Sequence, residues 1–186
     1  MEFTIPKRTL LAGVTALAFA CGGTPTPERA ETSGATAAIG AAVDDERAPA
    51  FELASLDGNT VRLADYDGQV RLVDFWAIWC KPCIQELPML QGLQDRYAGD
   101  GFQMIGVYHS DEQPAEVLAF LQERGIDYPQ AIGDDDIADG FGGVLGLPAA
   151  FLIDREGRIV QRYGGEKSPA TLERNIRETL GLPAEG

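Results

Sequence analysis

The sequence predicts an α/β domain in which helices flank a sheet of mixed strand pairing. Strand-like and helical segments alternate from about residue 48 to residue 180, which is typical of this class. Val70–Trp76 is a nearly continuous apolar run, as expected of a strand buried on both faces. The last two strands are separated only by Arg155-Glu156-Gly157, so they form an antiparallel hairpin. Residues 48–183 are enough for one hydrophobic core.

The first half of this domain opens with a small hairpin. Phe51–Ala54 and Thr60–Leu63 read as strands joined by the turn Asp57-Gly58-Asn59. The buried strand follows, and a helix then runs from Cys80 to about Tyr97, with leucines on one face.

The second half continues the alternation. We expect strands and helices over Phe102–Tyr108 (strand), Pro114–Arg124 (helix), Tyr128–Ile132 (strand), Asp134–Gly143 (an ambiguous segment, read as an acidic turn or short helix), Ala149–Asp154 (strand) and Arg158–Tyr163 (strand). Ser168 caps a last helix that has Pro169 at its first position and ends at Leu180.

Composition excludes several classes of function. The chain has 29 acidic and 15 basic residues, a net charge of −14, which disfavours a general nucleic-acid binder. Three cysteines are too few for a disulfide scaffold, and one histidine is too few for a histidine-rich metal site. No apolar run reaches the length of a membrane-spanning helix, which is about 18–20 residues.

The N-terminus has the features of an export signal. Residues 1–20 combine basic Lys7 and Arg8 with a short apolar stretch, and small residues Ala18 and Ala20 precede Cys21. A short apolar run ending in cysteine resembles the bacterial lipoprotein signal, which implies that Cys21 is lipidated. Ordinary cleavage after Ala20, which leaves Cys21 free, is the alternative.

Residues 21–47 read as a flexible tether. They are rich in Thr, Pro, Ala, Gly and Glu and have too few large apolar residues to offset the entropy of ordering. The remaining domain, residues 48–183, would therefore lie outside the cytoplasm in the cell envelope, held to a membrane by acyl chains rather than by charge.

The chemistry is predicted to reside in Cys80-Lys81-Pro82-Cys83. Cys80 lies where a helix begins, so unpaired N–H groups and the helix dipole lower the pKa of its thiol. Two intervening residues place Cys83 within disulfide reach, so Cys80 attacks and Cys83 resolves the mixed disulfide. A structural disulfide and half of a zinc site are the alternatives. A disulfide that closes so short a loop would constrain the unfolded chain little and so add little stability. A zinc site would need a second Cys-x-x-Cys motif or a pair of histidines, and the sequence has neither.

This segment resembles the active site of thioredoxins. Val73–Cys83 carries the likeness, and further segments point to the membrane-tethered TlpA/ResA-like branch: Ala48–Leu53, Leu56–Val61, Tyr66–Gly68, Glu86–Pro88, Gly146–Pro148 and Phe151–Asp154. The likeness covers about residues 48–180. It implies a thioredoxin fold, with a central mixed sheet flanked by helices and an extra N-terminal hairpin.

The resemblance also implies roles for individual residues. Pro148 corresponds to the cis-proline that faces the cysteines and shapes the substrate groove. Asp74, within a buried strand, and Glu86, one helical turn after Cys83, are both candidates for managing the proton of the resolving thiol. We expect four further residues to line the substrate groove: Trp79, Lys81, Pro82 and Leu147.

The resemblance implies an exported thiol–disulfide oxidoreductase that needs no cofactor or metal. Its partners would be exported proteins with disulfides or thiols, for example apocytochromes c, and a membrane electron donor. An oxidase or isomerase with the same cysteine couple is the main alternative. A thiol peroxidase would need a peroxidatic cysteine after Pro and Thr, and a copper-binding chaperone of this fold would need a longer cysteine spacing.

Overall fold

Seven strands and four helices follow one another in the residues that this computed structural model describes, 46–109 and 111–183. The strands are β1 (Glu52–Ala54), β2 (Thr60–Arg62), β3 (Val70–Trp76), β4 (Phe102–Tyr108), β5 (Gln130–Ile132), β6 (Ala149–Ile153) and β7 (Ile159–Gly164). The helices are α1 (Lys81–Tyr97), α2 (Pro114–Gln122), α3 (Asp135–Gly140) and α4 (Pro169–Leu180).

A five-stranded sheet with the order β5-β4-β3-β6-β7 forms the centre of the domain. β3 pairs in parallel with β4, and β4 with β5, whereas β6 runs antiparallel to both β3 and β7. β1 and β2 form a separate antiparallel hairpin. The mixed sheet, the N-terminal hairpin and the closing hairpin are therefore confirmed.

The two faces of β3 belong to different parts of the core. Leu72 and Trp76 pack on the face that α1 covers, together with Leu87 and other helix residues. Phe75 packs on the opposite face with a second cluster. Because side chains alternate along a strand, Asp74 shares the α1 face with Leu72 and Trp76.

The entry segment of the domain is fixed to the turn between β6 and β7. The Ile159 N–H donates to the Glu46 carbonyl at 2.8 Å, and the Ala48 N–H donates to the Gly157 carbonyl at 2.9 Å. The predicted signal, Cys21 and nearly all of the predicted tether lie outside the described residues. Within residues 46–109 and 111–183, no helix is both long and apolar enough to cross a membrane.

Several predicted details need correction. β2 ends at Arg62, because the buried Leu63 begins a 3-10 turn that ends at Tyr66. Ser168 occupies the N-cap position of α4, but its side chain makes no capping hydrogen bond. Other elements also differ from their predicted bounds: β1 begins at Glu52, β5 at Gln130 and β7 at Ile159, whereas α2 ends at Gln122, α3 at Gly140 and β6 at Ile153.

The ambiguous acidic segment forms helix α3. The Asp134 carboxylate accepts a hydrogen bond from the Ile137 N–H at 3.0 Å, so it caps the helix. The first turn also contains Asp135 and Asp136, which suit the positive end of the helix dipole.

Candidate active site

Cys80 and Cys83 form a disulfide at the beginning of α1. Their sulfurs are 1.99 Å apart, and their Cα atoms are 5.3 Å apart. Cys80 is the N-cap residue, and its sulfur accepts a hydrogen bond from the Cys83 N–H at 3.3 Å. Cys80 is 4% exposed and Cys83 only 1%, so Cys80 is the more accessible sulfur. This geometry suits attack by Cys80 and resolution by Cys83.

The surroundings of Cys80 favour a thiolate in the reduced state. The N-terminus of α1 directs unpaired N–H groups and the positive end of the helix dipole toward its sulfur. Lys81 is exposed in the first turn, and Pro82 fits this turn because no N–H is needed there. Trp79 is 65% exposed beside the disulfide, where a partner can contact its ring.

Trp76 belongs to the core rather than to the surface of the site. Its indole N–H donates to the Gln130 side-chain oxygen at 2.9 Å, and its ring packs edge-on against Tyr108. Gly106 lies under the Gln130 side chain, since a Cβ atom there would stand 2.1 Å from the Gln130 oxygen. A glycine at this point lets the Trp76–Gln130 pair form.

The Leu147–Pro148 peptide bond is cis, and it lies at the same end of the sheet as the disulfide. Ala149 pairs with Phe75, so Pro148 stands beside the end of β3 from which the chain continues to Cys80. The Pro148 carbonyl accepts a hydrogen bond from the Gly165 N–H at 2.8 Å. This bond joins the proline loop to the segment that precedes α4.

A groove of about 1050 Å³ opens between these two segments. Leu147 lines it, and so does Leu145, whose side chain is fully exposed. The other predicted groove residues, Trp79, Lys81 and Pro82, lie outside its lining. Of the four residues predicted to line the substrate groove, Leu147 therefore lines this groove, whereas the other three lie at or next to the cysteine motif.

Asp74 and Glu86 are buried, and a buried lysine holds both of them. The Lys167 ammonium lies 3.0 Å from Asp74 Oδ1 and 2.7 Å from Glu86 Oε2. The Lys167 backbone N–H also donates to Glu86 Oε1. The three side chains come from β3, from α1 and from the loop before α4, and all are at most 5% exposed.

Burial governs the electrostatics of this cluster. Desolvation raises the pKa of Asp74 to about 6, with Lys167 opposing the rise and Glu86 adding to it. Desolvation lowers the pKa of Lys167, but the two carboxylates outweigh it, so the net pKa is raised. Burial, followed by the negative charge of Asp74, holds the pKa of Tyr128 well above its usual value.

Sequence reasoning found the two acids but not Lys167 or Tyr128. Lys167 is one of three lysines in the chain and lies between Glu166 and Ser168, the N-cap residue of α4, a context typical of an exposed loop. The available signal was indirect: two carboxylates predicted near one buried site require a cation. Nothing in the local sequence indicates which basic residue supplies this cation.

His109 is partly exposed after β4, and its ring lies 3.5 Å from the Asp135 carboxylate. Among residues 46–109 and 111–183, no group of three or more His, Cys, Asp or Glu side chains is arranged to hold a metal ion.

Comparison with known proteins agrees with this site. The model of the AhpC/TSA family matches residues 45–162. Thiol-disulfide oxidoreductase ResA of Bacillus thuringiensis (strain Al Hakam) is 33% identical over 133 residues, which cover 72% of this chain and 76% of ResA. Thiol:disulfide interchange protein HelX of Rhodobacter capsulatus is 34% identical over 152 residues, covering 80% and 83% of the two chains.

Solved structures show the same fold. The crystal structure of a thiol:disulfide interchange protein of the thioredoxin family from Chlorobium tepidum superposes with a TM-score of 0.68 at 29% identity. The superposition covers 76% of this chain and all of that one. The predicted thioredoxin fold is therefore confirmed. The chain belongs to the AhpC/TSA family and is a TlpA/ResA-like thiol–disulfide oxidoreductase of the thioredoxin superfamily.

Proposed function

We propose that the protein is an exported disulfide reductase that transfers two electrons from the Cys80–Cys83 dithiol to disulfides in other exported proteins. The observation that carries the proposal is the Cys80–Cys83 pair at the N-terminus of α1, with the more accessible sulfur at the N-cap. A thiolate at that position is stabilised by the helix, so it is ready to attack a disulfide.

The midpoint potential of the couple tests the direction of transfer. The full chain, in detergent, is equilibrated with thiol buffers while tryptophan fluorescence reports the redox state, with Cys80→Ser as the control. A potential at or below about −250 mV, near that of thioredoxin, supports a reductase. A potential near −120 mV, that of a strong oxidant, would instead favour the oxidase or isomerase alternative.

The division of labour between the cysteines has its own test. With a disulfide-bonded peptide, Cys83→Ser should accumulate a stable mixed disulfide through Cys80, because the resolving thiol is absent. Cys80→Ser should form none. Mass spectrometry of the non-reduced adduct identifies the sulfur, and an adduct on Cys83 in the Cys80→Ser variant would reverse the roles.

Apocytochromes c are the substrate class that we propose. Their haem-binding motif is Cys-x-x-Cys-His, whose cysteines must be reduced before haem attachment. A synthetic peptide with this motif as an internal disulfide should be reduced faster than a control peptide with the same spacing in scrambled sequence. Equal rates would remove this substrate class and leave a general reductase.

We also propose that lipid on Cys21 holds the protein at a membrane and that electrons come from a membrane donor. The support is the basic, apolar and small-residue order of residues 1–21. Labelling with an alkyne fatty acid should mark the expressed chain but not a Cys21→Ser variant. An unlabelled chain whose mature N-terminus is Cys21 would show ordinary cleavage.

The remaining alternatives give different readouts. A thiol peroxidase would consume hydrogen peroxide at the expense of the reduced cysteines, and this activity would be lost in Cys80→Ser. A copper chaperone would bind Cu(I) through the reduced pair in a competition titration. Either result, together with failure to reduce peptide disulfides, would replace the proposed reductase.

A further inference from the structure

A cavity lined by three arginines lies away from the redox site. It has a volume of about 340 Å³, and its arginines are Arg47 from the entry segment, Arg71 from β3 and Arg155 from the turn between β6 and β7. No residue of the cysteine motif, of the loop before Pro148 or of the cluster around Lys167 lines it. This cavity, the arginine pocket, is therefore separate from the cysteine site and its groove.

Arg71 is a buried cation in a mostly apolar strand, and its side chain is only 2% exposed. One terminal nitrogen donates to Asp67 Oδ1 at 2.9 Å, and the other donates to the Asp154 carbonyl at 3.0 Å. Its Nε is buried and has no hydrogen-bond partner among the described residues. The described part of the chain thus engages two of the five N–H donors of this guanidinium.

Stability alone does not explain an arginine at this position. A guanidinium that leaves water needs an opposite charge and a full set of hydrogen bonds as compensation. Its carboxylate partner, Asp67, is 75% exposed, so water screens the attraction between them. Apolar residues that replace a buried ion pair often leave a protein equally or more stable. The burial of Arg71 with unused donors therefore points to a ligand.

The other two arginines are exposed, and backbone oxygens hold their side chains in place. Arg47 donates to the Glu156 carbonyl at 2.8 Å. Arg155 donates to the carbonyls of Gly68 and Asp100, each at 3.0 Å. Within the described part of the chain, no carboxylate lies within ion-pair distance of either guanidinium. Both side chains are therefore fixed in position, while their positive charges have no carboxylate partner there.

Arg47 and Arg71 approach each other at Gly157. A Cβ atom there would lie 3.7 Å from Arg47 Nη1 and 3.7 Å from Arg71 Nη2, so these nitrogens are no more than twice that distance apart. Gly157 has a φ of +86°, a conformation that glycine adopts without strain. Because glycine has no side chain, the space between the two guanidiniums is open to a ligand.

Two carboxylates also line the pocket but leave it with positive charge. Asp67 pairs with Arg71, and Glu156 lies 3.5 Å from Arg158, which is outside the lining. The lining thus has three cations against two anions, and one of these anions is shared with a fourth arginine. An anion that enters the pocket would therefore meet net positive charge, although the whole chain is acidic.

We propose that the arginine pocket binds a phosphate group, carried either by a soluble phosphate compound or by a lipid headgroup. Guanidinium groups present paired N–H donors that match phosphate oxygens. Because the three arginines come from separate segments, they suit the tetrahedral oxygens of phosphate better than the two coplanar oxygens of a carboxylate. The apolar side chains of Ala48 and Leu63 also line the pocket and can contact the carbon part of an ester. The proposal does not depend on the direction of electron transfer at the cysteines.

Titration with inorganic phosphate, followed by NMR of the 15N-labelled full chain, tests the site directly. Ionic strength is held constant, and two resonances are followed: the Arg71 Nε–H group, assigned by its absence in Arg71→Met, and the Gly157 backbone amide. Both should shift and reach saturation with the same dissociation constant. Resonances that do not move, or that move without saturating, would overturn the proposal.

Variants identify the residues that bind the phosphate, with the Gly157 amide as the reporter. Arg71→Met should weaken binding at least about tenfold, because hydrogen bonds from a charged donor are lost. Arg155→Gln should weaken it about threefold, the effect of one solvent-screened charge. Arg174→Gln, which removes an exposed cation of α4 outside the pocket, is the matched control and should leave the dissociation constant unchanged.

Arg155→Gln keeps the test open if Arg71→Met does not fold, because Arg155 is exposed. Equal losses in Arg155→Gln and Arg174→Gln would show that phosphate responds only to the net charge of the protein, and would overturn the proposal. The midpoint potential of the Cys80–Cys83 couple should be the same in both variants and in the wild type. A failure of this proposal is therefore distinguishable from a failure of the proposed function.

Sedimentation with vesicles distinguishes the two sources of phosphate. The full chain carries Cys21→Ser, so that no acyl chain can attach it, and the vesicles contain phosphatidylglycerol and phosphatidylcholine. Sedimentation that Arg155→Gln lowers and Arg174→Gln does not would assign the pocket to a lipid headgroup. A saturable shift with inorganic phosphate, but no sedimentation, would assign it to a soluble phosphate compound. Binding of neither would overturn the proposal.

Discussion

Asp74 lowers the stability of the folded domain at neutral pH, and Asp74→Asn should recover that loss. The carboxyl is 1% exposed within the sheet, and burial is the main reason that its pKa is raised. A group that binds protons more tightly in the folded state than in the unfolded chain makes the protein less stable as pH rises. An asparagine cannot ionise, so it removes this pH-dependent penalty.

The magnitude follows from the two pKa values. The pKa of Asp74 is about 6 in the fold against 3.8 for the unperturbed carboxyl, a difference of about 2 units. Each unit corresponds to about 1.4 kcal/mol, so ionisation of Asp74 costs the fold about 3 kcal/mol. The penalty is absent below pH 3.8, grows between pH 3.8 and 6, and is complete above pH 6.

Urea unfolding of the oxidised protein, followed by tryptophan fluorescence, measures this effect. The free energy of unfolding of Asp74→Asn minus that of the wild type should rise by about 2–2.5 kcal/mol between pH 4 and pH 7.5, because part of the penalty is already present at pH 4. Comparing the two pH values cancels any packing difference between Asn and a neutral Asp. Asp139→Asn, at an exposed position on α3, is the control and should show a flat difference. A flat difference for Asp74→Asn as well would refute the reasoning.

Four further substitutions test the packing of the domain and the surface of the site. Trp79→Ala should lower kcat/KM for a protein disulfide by roughly tenfold, because a large partner bound at the disulfide also contacts the exposed ring. A small-molecule disulfide is too small to contact the ring and should be reduced at an unchanged rate. Equal losses for both substrates would contradict a docking role for Trp79. Gly106→Ala should cost about 1–3 kcal/mol in urea unfolding, because the new Cβ displaces Gln130. Gly92→Ala should instead raise the free energy of unfolding, because a Cβ at this position of α1 meets open space. If Gly106→Ala and Gly92→Ala changed the free energy of unfolding in the same direction, the steric explanation would be excluded. Leu90→Ala should cost about 2–5 kcal/mol by the same assay, and a cost below 1 kcal/mol would mean that the core collapses around the cavity.

Local patterns predict most of the fold and the reactive pair. The apolar run at β3, the turn after β6 and the proline near the start of α1 each act over a few residues, so they are visible in the sequence. The inward position of Asp74 was also predictable, since its neighbours on the strand are apolar.

Long-range contacts explain what could not be predicted. Lys167 is 81 residues from Glu86 in the chain, and its flanking residues are polar and exposed. Its burial depends on where the loop before α4 is placed, which is fixed by the Gly165–Pro148 hydrogen bond and not by any local pattern. Likewise, Leu63 leaves β2 because the core takes up its side chain, a tertiary effect that overrides its strand propensity.

The attachment of the entry segment to the β6–β7 turn has a consequence for orientation. Arg71, near the start of β3, pairs with Ile153, so this turn lies at the end of the sheet opposite Cys80. Seven residues of β3 span about 23 Å. The entry segment at Glu46 and the Cys80–Cys83 disulfide therefore lie at opposite ends of the central sheet.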